Sequence, residues 1–370
     1  MSCRTQNPAS KHHRHVALLA LAALLMAAPA AAQQAITVVS WGGAYTGSQI
    51  EAFHKPFEAQ TGIVVQSVDY DGNAAPIKAQ TLSGNVTWDV VDVELPVATR
   101  LCDEGALEII PAENLAPAPD GTPAIEDFLD GTLTDCAVGN VVWSTVYAYN
   151  ADAFRDAAPA SIADFFDIAA YSGKRGMRKT PKGNLEMALM ADGVPADEVY
   201  SLLETPVGVD RAFAKLDQIK DDVVWWDAGA QPPQLLADGE VSMTTAYNGR
   251  IFHARVAEGQ PFEIVWDGQV WDIDLWAIPA GTPNKKAAMD FVRFATQTQP
   301  MADQLSRIAY GPTRASAQPL VGSHPDHGVD MKEHLPTKPA HMENALQTDP
   351  LFWADFGVEL DQRFNAWLAG

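Results

Sequence analysis

Between residues 35 and 104 the chain alternates β-type runs with amphipathic ones, and that alternation constrains its fold more than any other feature. Ala35-Ile36-Thr37-Val38-Val39-Ser40 and the runs 63–68 and 88–94 are rich in valine and isoleucine, the pattern of buried strands. After the first run, Ile50, Phe53 and Phe57 recur at helical spacing, so a helix is predicted over 48–60, stopped by Thr61-Gly62. Further helices are predicted over 74–82 and 96–104. Strand, helix and strand joined by short connections build a parallel sheet. Ligands of such sheets bind beyond the carboxyl ends of the strands. Trp41, Tyr45, Tyr70, Asp71 and Glu94 fall there, with Trp41 and Tyr45 in a predicted glycine loop, Trp41-Gly42-Gly43-Ala44-Tyr45.

A second stretch raises a question of charge. Val270-Trp271-Asp272-Ile273-Asp274-Leu275-Trp276-Ala277-Ile278-Pro279 reads as a strand that stops at Pro279-Ala280-Gly281. Side chains alternate along a strand, so Asp272, Asp274 and Trp276 share one face, and Trp271, Ile273 and Leu275 the other. Two carboxylates in an apolar strand repel each other and lose hydration worth several kcal/mol when buried. Either something cationic sits beside them, or water reaches them.

The rest of the chain is mixed. Strands are predicted over 138–149, 173–179, 223–226, 241–247 and 262–266. Helices are predicted over 184–190, 210–220, 231–237, 284–296 and 299–307, and at the end over 355–368. Residues 308–313 read as a loop. No internal repeat or long low-complexity linker separates domains, so two lobes are expected to interleave. Lobe 1 takes 33–148 and 275–322, and lobe 2 takes 149–274 and 323–370.

Residues 1–32 read as a signal peptide: a basic segment from Lys11 to His15, a short apolar run from Val16 to Ala28, and the small residues Ala30-Ala31-Ala32. Removing it from 370 residues leaves 338, enough for about two domains. The leader takes three of the 25 Lys and Arg and none of the 47 acids, so the net charge of the remainder is −25. That charge argues against nucleic acid and anionic membrane as partners. It suits an exported protein with a cationic ligand, and it equally suits one that is acidic only to stay soluble. Cys102 and Cys136 remain, and export with an even count predicts one disulfide. In the chain-entropy description, closing a loop of that length contributes about 3 kcal/mol.

Motifs of catalysis are missing. The sequence has no Gly-x-Ser-x-Gly, Ser-x-x-Lys, His-Glu-x-x-His or phosphate-binding Gly-x-x-x-x-Gly-Lys pattern. Gly42-Gly43 lacks the further glycine of a dinucleotide loop. His324-Pro325-Asp326-His327 reads as a surface loop rather than a metal site. No cofactor or metal is expected, and a secreted enzyme is left only as a remote alternative.

Several stretches together carry a family likeness: Trp41 to Tyr45, Pro56-Phe57-Glu58-Ala59-Gln60-Thr61-Gly62-Ile63, Trp88-Asp89-Val90-Val91, Tyr247-Asn248-Gly249, Asp274 to Pro279 followed by Asn284-Lys285-Lys286, and Tyr310-Gly311-Pro312-Thr313. In order and spacing the chain resembles the periplasmic solute-binding proteins of ABC importers. More narrowly, it resembles their spermidine/putrescine-binding family. The resemblance implies a two-lobed, type II periplasmic-binding-protein α/β fold with interleaved lobes around a hinge. It also implies a monomer in the periplasm whose partners are a small-molecule amine and an inner-membrane ABC permease. Aromatic rings would cover a polyamine's methylenes and attract its ammonium groups, while carboxylates pair with its ends. The positions that match are Trp41, Tyr45, Tyr247, Asp274 and Tyr310, with Asp272 and Glu94 as further acidic candidates.

One departure points to another ligand. Where the family carries a second acidic pair, this chain has Arg178-Lys179-Thr180-Pro181-Lys182-Gly183, with Glu186 the nearest acid. If Arg178 or Lys182 faces the cleft, the ligand has an anionic end, and a zwitterionic amino acid derivative or opine-like compound fits better than a polyamine. Arg250 is then a candidate carboxylate clamp. If they are solvated turn residues, the polyamine reading stands.

Overall fold

The computed structural model describes residues 33–370. The leader expected over 1–32 lies outside them. Ten strands form one sheet: β1 (Ala35–Ser40), β2 (Val64–Asp69), β3 (Val90–Glu94), β4 (Ala137–Asn150), β5 (Arg175–Arg178), β6 (Val223–Trp226), β7 (Met243–Tyr247), β8 (Phe262–Ala277), β9 (Gly311–Pro312) and β10 (Ala345–Gln347). The order is β2-β1-β3-β8-β4-β7-β5-β6, with β9 beside β4 and β10 beside β8. The parallel sheet expected from the first hundred residues is present, β1 pairing parallel with β2 and β3, and a second parallel unit that was not expected, β5 with β6 and β7, forms the other flank. The centre differs. β3–β8, β8–β4 and β4–β7 are antiparallel, because β4 and β8 traverse the molecule in opposite directions.

Alternation along the strands sends neighbouring residues to different cores. Val38 packs with Phe53, Phe57 and Phe291 on one face of the sheet. Val39 packs with Ile77, Val91 and Leu101 on the other. In the other half Tyr147 joins Met177, Leu185 and Phe364, while its neighbour Ala148 joins Leu236, Ile251 and Phe262. Each half therefore carries its own pair of cores, and β4 and β8 run through both halves. The C-terminal helix, Pro350–Ala369, seals the second half through Phe352, Leu360 and Phe364. It starts earlier than its apolar pattern predicts, because the Asp349 side chain accepts from the amides of Leu351 and Phe352.

Two local differences from expectation shape the site. The first helix begins at Gly43, inside the predicted loop, and runs through a π-turn, Ile50–His54, to Thr61. Gly42 and Gly43 both take positive φ, 73° and 59°, which other residues rarely adopt. The Thr46 hydroxyl accepts from the Gly42 amide at 2.7 Å and donates to Asp69 at 3.1 Å. Tyr45 is thereby placed on a helix rather than a loop.

The strands predicted over 262–266 and 270–279 are one strand, β8. Gly268 (φ 74°) reads as punctuation in the sequence but forms an irregularity where the pairing with β4 shifts register between Thr145 and Tyr147. A side chain there would lie 2.5 Å from Ile162. The expected disulfide joins Cys102 to Cys136, with their Cα atoms 5.8 Å apart, tying the helix Leu95–Asp103 to the start of β4.

Candidate ligand-binding site

The carboxyl ends of parallel strands in both halves converge on one cavity of about 210 Å³. Trp41 follows β1, Tyr70 and Asp71 follow β2, and Glu94 ends β3. Arg178 ends β5, Asp227 follows β6, and Tyr247 ends β7. Trp143 of β4, Asp274 of β8, Arg250 and Tyr310 complete the charged and aromatic lining. The switch from parallel flanks to an antiparallel centre leaves a crevice between the two sets of strand ends.

Aromatic rings form its walls. Trp41 and Tyr70 meet at 5.1 Å between centroids, Tyr45 meets Tyr310 edge-on at 5.4 Å, and Trp143 meets Tyr247 edge-on at 5.0 Å. Tyr247 is held from behind by Trp226 at 5.8 Å. It also presses so close to Gly229 that a side chain there would meet its ring at 2.7 Å. Each of these contacts immobilises a ring in advance of any ligand, which lowers the entropic cost of binding.

The two aspartates of β8 have different partners. Asp272 is buried and accepts from the Lys182 ammonium at 2.6 Å. The same ammonium donates to Glu94 at 2.6 Å. Burial alone would lower the pKa of Lys182, but Asp272 and Glu94 outweigh it and hold it above the usual lysine value. Burial acts to raise Glu94, yet Lys182 and then Arg178 draw it below the ordinary glutamate value. The cation sought beside the strand is thus, for Asp272, part of the chain.

Asp274 has no such partner. It is also buried, and its side-chain hydrogen bond comes from the Trp143 indole at 2.8 Å. Burial first, and then the neighbouring carboxylates Asp92, Glu94 and Asp272, push its pKa well above that of an ordinary aspartate. It faces the cavity as an acceptor short of a cation.

The opposite shortage is also present. Arg178 lines the cavity with its guanidinium 5.8 Å from the Tyr247 ring centroid. Arg250 donates to the Trp41 carbonyl at 3.1 Å, and its buried Nε has no acceptor among the described residues. The arm of Arg250 occupies the space that a side chain at Gly43 would need. Neither arginine forms an ion pair among the described residues, although Glu94, Asp227 and Asp361 lie near enough to Arg178 to favour its charge.

Behind Tyr45 lies a buried polar group that the sequence reading missed. Asp92 accepts from the Tyr45 hydroxyl at 2.8 Å, Gln49 at 2.7 Å and Asn140 at 3.1 Å. Burial raises its pKa to about 7 against the pull of these donors. The signal was available: Asp92 and Glu94 are two apart in a strand, as Asp272 and Asp274 are, and so share a face.

Trp41, Tyr45, Glu94, Tyr247, Arg250, Asp274 and Tyr310, all expected from sequence, are brought together around the cavity. Asp272 lies one step behind it, covered by Lys182. Glu186 is not brought to the cavity: fully buried, it accepts from Trp353 at 2.8 Å, Tyr200 at 3.0 Å and the Gly183 amide at 2.8 Å. It caps its own helix, Asn184–Ala191, and anchors the C-terminal one. The basic turn expected at 178–182 divides in two, with Arg178 on the cavity and Lys182 committed to the two carboxylates.

A profile of the bacterial extracellular solute-binding proteins matches residues 52–337. The chain belongs to that family. Among curated relatives of this solute-binding protein, the gamma-aminobutyric acid-binding protein of Pseudomonas aeruginosa PAO1 is 47% identical over 352 residues, 95% of this chain and 96% of the relative. The spermidine/putrescine-binding periplasmic protein of Salmonella typhimurium is 24% identical over 316 residues, 84% of this chain and 87% of the relative. Among solved structures, a periplasmic binding protein of Agrobacterium tumefaciens B6 in complex with glucopine superposes with a TM-score of 0.81. It is 29% identical and covers 90% of this chain and 100% of its own. The two-lobed periplasmic-binding-protein fold expected from sequence is the fold observed. The narrower likeness to polyamine binders is the more distant one. No helix among the described residues is long and apolar enough to cross a membrane.

Proposed function

We propose that this chain is the periplasmic substrate-binding component of an ABC importer and that it captures a small zwitterionic amino acid, of which γ-aminobutyrate is the leading candidate. One observation carries the reading: a single aromatic-walled cavity holds a buried carboxylate without a cation, Asp274, and two arginines that form no ion pair among the described residues, Arg178 and Arg250, of which Arg178 feels Glu94 and Asp227 only at longer range. An ammonium beside Asp274 and a carboxylate beside the arginines satisfy all three, and the methylenes between them lie against Trp41, Tyr45 and Tyr247. A polyamine supplies the first charge and leaves both arginines facing more positive charge. The ligand of the Pseudomonas relative supports the zwitterion.

A larger opine-like acid is the second reading, supported by the glucopine-bound neighbour. The cavity, about 210 Å³, is below the ~300 Å³ at which pockets for larger ligands begin, and this favours the shorter molecule. The two lobes would close on the ligand by bending β4 and β8 where these strands pass between them, and the break on β4 would fall before Tyr147 rather than after residue 148, since Tyr147 and Ala148 pack in the cores of the second half. The closed monomer would then dock on its permease. No bond is made or broken.

A thermal-shift series on the purified protein with γ-aminobutyrate, putrescine, spermidine and an opine tests the reading. At 100 times its Kd a ligand stabilises the folded protein by about 2.7 kcal/mol. γ-Aminobutyrate is expected to raise the melting temperature and putrescine to leave it unchanged. A shift with putrescine and none with any amino acid derivative would overturn the proposal.

A further inference from the structure

Glu94, Asp272 and Asp274 form a row of carboxylates, with Glu94 and Asp274 on the cavity wall and Asp272 one step behind it. Asp274 stands opposite Glu94 in the β3–β8 register. Asp272 is two residues along the same strand and on the same face, about 7 Å away at the rise of an antiparallel strand. Lys182 reaches this row from the loop after β5 and donates to both Glu94 and Asp272 at 2.6 Å. Two carboxylates share one internal ammonium, and the third is left facing the cavity.

We propose that Lys182 sets which amines this site accepts: as a built-in ammonium occupying the second cation position, it restricts the site to ligands with a single ammonium and excludes diamines. The inference rests on the preceding reading that an amine group of the ligand pairs with Asp274. A four-carbon diamine is about as long as the step from Asp274 to Asp272, so its far end would arrive where the Lys182 ammonium stands. There it would meet a like charge in a site shielded from water, where such juxtapositions cost several kcal/mol. An amino acid of similar length brings no second cation and turns its carboxylate toward Arg178 or Arg250.

The surroundings of Lys182 fit this role. A cavity of about 20 Å³ lies beside it and shares Trp143 and Arg178 with the ligand cavity. Truncating the lysine would join the two spaces and expose Glu94 and Asp272 to whatever occupies the larger one. A lysine that only braced the fold would change stability when removed and leave selectivity alone, so selectivity is the quantity to measure.

Calorimetry with γ-aminobutyrate and putrescine on the wild type and on Lys182→Ala tests the proposal. The wild type is expected to bind γ-aminobutyrate and not putrescine, and Lys182→Ala to gain putrescine affinity by about 100-fold or more, worth ~2.7 kcal/mol. Because the variant leaves two buried acids unpaired, Lys182→Ala/Asp272→Asn is measured beside it, with circular dichroism to establish that each is folded. The double variant removes the lysine together with one of its acids and is expected to show the same gain through Glu94. A Lys182→Ala protein that folds only when putrescine is supplied also supports the proposal. Unchanged putrescine affinity in a folded variant overturns it, as does a wild type that binds putrescine as tightly as γ-aminobutyrate. A wild type that binds neither, with a variant that gains putrescine, overturns the preceding ligand assignment and upholds this one.

Discussion

Asp272 and Asp274 sit two residues apart on one face of one strand, both buried, and they have opposite fates. Asp272 is paired by the protein: Lys182 bridges it to Glu94, and its own carboxylate accepts from the Ile273 amide at 2.8 Å, although burial still holds its pKa above the ordinary aspartate value. Asp274 has one indole donor and three acidic neighbours that raise its pKa. A buried carboxylate with its cation in place is part of the architecture, and removing one partner leaves the other uncompensated. A buried carboxylate without its cation is poised for one that arrives from outside. The difference lies in which side chain reaches each of them.

The largest effect is expected from the member of this pair that lacks a cation. Asp274→Asn should weaken γ-aminobutyrate binding by about 100-fold, as loss of one partner of a desolvated charge pair does, while the melting temperature of the unliganded protein holds or rises. Calorimetry and a thermal melt check both, and unchanged affinity would remove Asp274 from the site. Next are the arginines. Arg178→Met and Arg250→Met should each cost about 10- to 100-fold in γ-aminobutyrate affinity, at 1.5–3 kcal/mol for a hydrogen bond to a charged group. 4-Amino-1-butanol, which lacks the carboxylate, should lose far less, and equal losses for both compounds would show that the arginines do not read the acid.

Asp272→Asn sharpens the comparison from the other side. It keeps the shape, removes one of two acids on Lys182, and should destabilise the protein by about 1–3 kcal/mol with γ-aminobutyrate affinity within about threefold. An affinity loss as large as that of Asp274→Asn would erase the distinction between the two residues.

The smallest effect is on pH dependence. Asp92 is raised from the usual aspartate value of 3.8 to about 7 in the folded protein. A group whose pKa is higher folded than unfolded contributes stability that is full below the unfolded value and is lost as pH rises through the folded one. The unliganded protein should therefore lose this contribution between pH 4 and 7. Asp92→Asn should flatten that slope in urea melts taken across the range. A slope that survives the substitution assigns it to other groups, Asp274 first among them.

Much of this was legible in the chain. The valine-rich runs and the apolar spacing of Phe53 and Phe57 specify strands and helices locally, because alternation and helical period follow from backbone geometry alone. The aromatics and acids at strand ends were legible for the same reason, since sheet topology sends strand ends to a common edge. Glu186 misled, because a buried helix cap and a ligand carboxylate look alike in one dimension. Arg178 and Lys182 were recognised as the point of decision, but their side chains are long enough to reach either solvent or cleft. By itself the sequence determined the strand–helix order, the first of the two flanking parallel units, the aromatic character of the site and the presence of uncompensated carboxylates. Only the tertiary structure decided that Lys182 lies across Glu94 and Asp272, and that Arg178 and Asp274 look into one cavity. Those pairings join residues about 90 positions apart, and charge pairing depends on distance in space, which local patterns do not encode.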